Sequence, residues 1–137
     1  MYYIGLMSGT SMDAVDAALV EFDKKATLKF YNEYPLEISV RNQICQINEK
    51  SNLIDVAMLD NKLGYIFADA ANDLIKKADI NSNQVAAIGS HGQTILHVPT
   101  IAEKTSIQIS DPNIICAETR ITVVADFRRM DMAFGGQ

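Results

Sequence analysis

The chain has 137 residues, 48% of them hydrophobic and 21% charged, with a formal net charge of -5, which suits one domain able to bury about two thirds of its unfolded surface. An acidic balance with no basic stripe speaks against a nucleic-acid partner, because nothing would replace the phosphate counterions, while a small anionic ligand held by local positive charge stays open. No apolar run reaches the roughly 18 residues of a membrane span, and the first residues show neither the basic n-region nor the long apolar h-region of a secretory leader, so no membrane partner and a cytoplasmic location are expected.

Tyr2-Tyr3-Ile4-Gly5-Leu6-Met7 reads as a strand that breaks into Ser8-Gly9-Thr10-Ser11-Met12-Asp13-Ala14-Val15-Asp16. Small hydroxyl residues around a glycine can turn backbone N–H groups and hydroxyls toward phosphate oxygens, and two carboxylates three apart can hold Mg²⁺. A P-loop would add a Gly-Lys-Ser/Thr end and a helix. Here no lysine precedes Lys24, and Val15, Ala17 and Leu19 alternate with Asp16, Ala18 and Val20, which is a strand period. The unit is therefore a hairpin with Gly9, Thr10 and Ser11 at its tip, and arginines from elsewhere would have to help offset phosphate charge. Serine, threonine and aspartate are also ordinary turn formers, so the spacing alone leaves a plain polar turn equally open.

Thr27 to Tyr34 reads as a third strand closed by Pro35, completing a meander. Ser39 is placed to cap a short helix with Val40, Ile44 and Ile47 on one face, and Asn48 to Ser51 is a polar break. From Asp55 to Ala78 the residues Leu59, Leu63, Phe67, Ala70, Ala71, Leu74, Ile75 and Ala78 keep helical spacing, with Lys76 and Lys77 at the negative end of the dipole. Val85 to Gly89 is a short apolar run suited to a strand buried on both faces, expected to end in a loop Ser90-His91-Gly92-Gln93-Thr94. Polar side chains beyond the carboxyl end of such a strand are candidates for a site. Ile107 to Ile109 is another short strand, and Asp111-Pro112 caps and opens a helix through Cys116 to about Thr119. Ile121 to Ala125 is a third buried strand, ending at Asp126-Phe127-Arg128-Arg129-Met130-Asp131. Cys45 and Cys116 stand far apart among apolar neighbours with no metal-ligand spacing, which reads as two buried, reduced thiols.

A β-meander followed by βα units gives an α/β chain with a mixed sheet, and with the phosphate hairpin at its start the order is that of one lobe of the actin/hexokinase/Hsp70-like ATPase fold. Three blocks sharpen this. Gly5 through Asp16, Gly89-Ser90-His91-Gly92-Gln93-Thr94, and Asp126-Phe127-Arg128-Arg129 through Gly135-Gly136-Gln137 resemble, in order and spacing, the signatures of the anhydro-N-acetylmuramic acid kinases. The resemblance covers essentially all of the chain. It implies a cytosolic bacterial enzyme of cell-wall (peptidoglycan) recycling that uses Mg-ATP and water to open the 1,6-anhydro ring of its sugar and phosphorylate O6.

Carried over by position, the resemblance makes Gly9, Thr10, Ser11, Met12, Asp13, Ala14, Val15 and Asp16 the ATP-binding segment, with Asp13 and Asp16 toward Mg²⁺. It makes His91, Gln93, Thr94, Arg128 and Asp131 the residues toward 1,6-anhydro-N-acetylmuramic acid, with Asp126 and Asp131 either orienting Arg128 or contacting the sugar. His91 alone would read as a histidine satisfied by a nearby carbonyl, and His97 is left structural. The family usually has glycine where this chain has Ala14, which matters only if that position needs positive φ.

The resemblance assigns no catalytic residue to these positions. The acid-base aspartate of the family lies in an Asp-Thr-Gly-Pro-Gly-Asn type segment that this sequence lacks, so the base is expected downstream of Gln137 and residues 1–137 are expected to be an N-terminal lobe, inactive alone. Apolar surface at the lobe boundary would favour a homodimer. Two other readings remain: a non-catalytic nucleotide- or sugar-binding lobe, and a serine hydrolase built from Ser8 or Ser11 with His91 and Asp111, which would need a strand-to-helix elbow rather than a hairpin.

Overall fold

Alternation along the first 35 residues builds three antiparallel strands, β1 (Tyr2–Ser8), β2 (Ala14–Phe22) and β3 (Ala26–Pro35). The computed structural model describes residues 1–99 and 104–136, so Gln137, last of the Gly-Gly-Gln block, lies outside the described residues. Helices α1 (Ile38–Gln46) and α2 (Leu53–Lys77) follow, then β4 (Val85–Val98), β5 (Thr105–Ile109), α3 (Pro112–Thr119), β6 (Val123–Ala125) and α4 (Phe127–Ala133). The described residues form a mixed α/β sheet in the order β3-β2-β1-β4-β5, with β6 also paired to β4. β4 runs parallel to β1 and to β6 and antiparallel to β5.

One face of the sheet holds the core. Ile4 and Leu6 of β1, Val15, Ala17 and Leu19 of β2 and Ile88 of β4 meet Leu63, Phe67, Ala71 and Leu74 of α2, all at most 2% exposed. The expected helical stripe is therefore the buried stripe. α2 begins two residues before its expected start, where the Asn52 side chain accepts from the Ile54 N–H at 3.0 Å. α3 begins as expected, with Asp111 accepting from the Asn113 N–H at 2.8 Å and proline in the first turn. No helix among the described residues is long and apolar enough to cross a membrane.

Several expectations need correcting. α1 starts at Ile38 after Glu37, and Ser39 lies inside its first turn, its hydroxyl turned to the Glu37 carboxylate at 3.2 Å instead of capping. Cys45 and Cys116 are free but exposed. Each follows a buried isoleucine, Ile44 or Ile115, and one step along a helix rotates a side chain about 100° off the buried stripe. β4 does not stop at Gly89. It continues through the Ser90 to Thr94 block to Val98, because β1 and then β5 supply ladder partners. β6 begins two residues later than expected, and residues 127–133 form helix α4.

Candidate functional site

The first block closes as a hairpin tip. The Met12 N–H donates to the Gly9 carbonyl at 3.1 Å, and Met12 holds φ 55. Ala14 has no positive φ and opens β2 opposite Pro35, so the alanine where glycine was expected carries no backbone strain. Met12 packs against the core and its Sδ accepts from the Cys45 thiol at 3.9 Å, which ties the tip to α1, while Val15 is fully buried. Thr10 and Ser11 are exposed. A Cβ placed on Gly9 would find only the Ser11 hydroxyl, 4.0 Å away, so the space above Gly9 is open.

The two carboxylates of the block go to different partners. Asp13 accepts from an Arg41 guanidinium N–H at 2.8 Å. Asp16 accepts from the Tyr31 hydroxyl at 2.5 Å, and the same oxygen lies 2.9 Å from Glu33, which sits across the ladder from Asp16. A phenol has one proton to give. Held between two carboxylates, Asp16 first and Glu33 second, the Tyr31 hydroxyl keeps that proton far above its ordinary range. Arg41 is the residue the sequence did not single out. It stands 28 positions from Asp13, and only the return of α1 beneath the hairpin brings it there.

The second block owes its geometry to a bulge. Leu6 pairs with Ser90 and Met7 with Gly92, which leaves His91 as the extra residue of β4. Such bulges re-aim a side chain next to functional sites. Gly92 holds φ 71, and a Cβ there would lie 2.5 Å from the Ile109 carbonyl oxygen. His91 Nδ1 faces the Gly92 carbonyl at 3.1 Å, while Nε2 faces Arg128 at 3.3 Å. A guanidinium only donates, so Nε2 accepts and the ring proton sits on Nδ1.

Gln93 is 2% exposed and takes the Ser8 hydroxyl at 2.7 Å while donating to the Thr94 carbonyl at 3.1 Å, so it clamps β1 to β4. The Thr94 hydroxyl accepts from Gln108 at 3.1 Å. His97 pairs with Ser106 across the hairpin, in keeping with its structural reading.

In the third block Asp126 holds φ 60 and chelates Arg129, with one contact at 2.6 Å and a second from Nη2 to Oδ2. It therefore orients Arg129 and not Arg128. Asp131 packs over Gly136, leaving no room there for a Cβ. Arg128 has no carboxylate partner among the described residues. No hydrolase constellation forms among the described residues: the Ser8 hydroxyl is committed to Gln93, Asp111 caps α3, and Ser11 stands exposed on a hairpin turn, not at a strand-to-helix elbow.

No group of three or more His, Cys, Asp or Glu among the described residues is arranged to hold a metal. Asp16 beside Glu33 offers the hard oxygen donors that Mg²⁺ takes, as one or two carboxylates completed by water and phosphate oxygens. Asp13, already neutralised by Arg41, suits that role less.

A mixed α/β sheet with an open, hydroxyl-lined hairpin at its head and polar residues gathered where β4 leaves β1 and β6 is the framework of a small-ligand-binding α/β protein. The family model described as anhydro-N-acetylmuramic acid kinase matches residues 1–137. Proteins carrying that name are 47% identical to the chain in Vibrio vulnificus (strain YJ016), across 98% of the chain and 37% of the relative. Those of Shewanella loihica and of Sulfurovum sp. are also 47% identical, across 99% and 98% of the chain and 38% of each relative. The chain belongs to the anhydro-N-acetylmuramic acid kinase family and spans a little over a third of the length of these relatives.

Proposed function

We propose that the chain is one lobe of an actin/hexokinase/Hsp70-like kinase that hydrolytically opens 1,6-anhydro-N-acetylmuramic acid and phosphorylates it. The meander β1-β2-β3 followed by the parallel strands β4 and β6 supports the lobe, and the family supports the substrate. In this reading water adds at the anomeric carbon, the bridge oxygen departs as O6, and O6 takes the γ-phosphoryl of ATP to give N-acetylmuramic acid 6-phosphate and ADP. The group that deprotonates the water belongs to the part of the relatives' length that this chain does not span.

The hairpin carries the reading. The open space over Gly9 seats a phosphate, the hydroxyls of Thr10 and Ser11 and the backbone N–H groups of the tip donate to its oxygens, and Arg41 supplies the positive charge that a missing lysine would give. Asp13 holds Arg41 against the tip. Asp16, fixed by Tyr31, is the carboxylate for Mg²⁺, which when bound screens the phosphate charge. His91, Thr94 and Arg128 face the sugar, and Arg128, held by His91 but by no carboxylate among the described residues, takes its lactyl carboxylate. Gln93 holds the Thr94 backbone in place, and Asp131 lies beside this group against Gly136.

Calorimetry with Mg-ATP on the intact protein tests this. Replacing Thr10 and Arg41 together by alanine should weaken nucleotide binding by about tenfold or more, the loss of a hydroxyl contact and a charge-assisted contact. Unchanged affinity would remove the hairpin from the nucleotide site.

A further inference from the structure

Arg128 presents one edge of its guanidinium to a single atom of His91. Its Nε and Nη2 lie 3.4 Å and 3.3 Å from the same ring nitrogen, Nε2. Those two N–H groups form a fork that matches the two oxygens of a carboxylate. His91 therefore fills with one lone pair the fork that an oxyanion fills with two oxygens. The other ring nitrogen is committed, because Nδ1 donates to the Gly92 carbonyl at 3.1 Å. A second ring proton can enter only at Nε2, where it would point at two donors of a cation.

No neighbouring side chain offers that proton a counter-charge. The strands paired to β4, which are β1, β5 and β6, contain no charged residue. Asp126 chelates Arg129 at the start of α4, and Asp131 of the same helix lies against Gly136. Asp60 of α2 accepts from the Ser110 N–H at 2.7 Å, and Asp111 caps α3. None of these carboxylates makes an ion pair with His91 among the described residues. While Arg128 donates to Nε2, the ring carries one proton. An oxyanion set between the two side chains changes this. It accepts from the fork and from an Nε2–H together, and its charge offsets both cations.

We infer that oxyanion binding at Arg128 is coupled to uptake of a proton at His91 Nε2, which turns His91 from an occupant of the fork into a second donor. The inference rests on the proposed function, in which the oxyanion is the carboxylate of the sugar, and adds to it a regulation by pH. The sugar is held more tightly as the pH falls. The proton comes from solvent, since a carboxylate is already ionised across the range in which histidines titrate. The bulge gives His91 this freedom, because the extra residue of β4 has no ladder partner on β1 and can turn toward α4.

Calorimetry on the intact protein, without nucleotide and in two buffers of different ionisation enthalpy, counts the protons. Near neutral pH, 1,6-anhydro-N-acetylmuramic acid should bind with uptake of a sizeable fraction of a proton, and its Kd should rise about tenfold from about pH 6 to about pH 8. The methyl ester of the same sugar brings no oxyanion, so it should bind with no uptake and a flat pH profile. That comparison needs no substitution. His91→Gln offers the fork an amide oxygen but cannot take the proton, and it should bind the acid without uptake. His97→Gln removes the other histidine of the chain and should keep the wild-type proton count. No uptake with the acid, equal uptake with the ester, a count unchanged in His91→Gln or a count lost in His97→Gln would each overturn the coupling and leave the proposed function standing. If neither the acid nor its ester binds, the proposed function falls and the coupling with it.

Discussion

Gly9 and Gly92 are both glycines in signature blocks, and they should respond to the same substitution in opposite ways. At Gly92 the backbone is left-handed and a Cβ would press on the Ile109 carbonyl at 2.5 Å. Gly92→Ala should therefore cost roughly 1–3 kcal/mol in strain, more if β5 must shift, read as a lower midpoint in chemical denaturation. At Gly9 the nearest atom to an added Cβ is 4.0 Å away and φ is ordinary. Gly9→Ala should leave the denaturation midpoint in place and weaken Mg-ATP binding, because the methyl occupies the space offered to a phosphate. A Gly9→Ala variant that binds nucleotide normally would show that the glycine serves only the turn. The contrast separates a glycine kept for the fold from one kept for a ligand.

The start of α3 was legible because its signal is local, whereas the cap expected at Ser39 lies inside α1. Asp111 and Pro112 announce α3, and the side chain reaches the Asn113 N–H as an N-cap should. Asp111→Ala should cost about 1 kcal/mol, checked by thermal unfolding, with α3 fraying first. The long helix was legible for a second reason: its stripe from Leu59 to Ile75 repeats over enough turns for the period to be unambiguous. β4 was not. Ser90 to Thr94 is polar and contains a glycine, which reads as a loop, yet β1 and β5 impose a ladder across it, and the bulge at His91 absorbs the misfit. The same limit applied to the site. The residue types of the hairpin were visible, but the partners of Asp13 and Asp16 depend on α1 and β3 folding back. Long-range placement also decides that Gln93 is a clamp, and that Arg128, not Arg129, is the guanidinium with no acid partner.

At the scale of the whole molecule the two faces of the sheet differ. Helix α2 covers one. On the other, Met7 of β1, Phe22 of β2, Leu28 and Tyr31 of β3 and Val124 of β6 are each between 46% and 61% exposed. Period two puts Met7 and Gly5 on the side of β1 opposite the buried Ile4 and Leu6. Strand pairing sets Leu28 beside Val20 on that same outer side. The Asp16–Tyr31–Glu33 network shares that side, but exposed apolar side chains in this number rarely stay in water, so the chain by itself should self-associate, with a sedimentation coefficient that rises with concentration. Replacing Leu28 and Val124 together by lysine adds charge at both ends of the face without touching the hairpin or the sugar-facing residues. That pair should return the chain to a monomer with its thermal midpoint unchanged. A wild-type chain that sediments as a monomer at every concentration would mean the outer face is stable in water as it stands, and the expectation of a homodimer through it would fail.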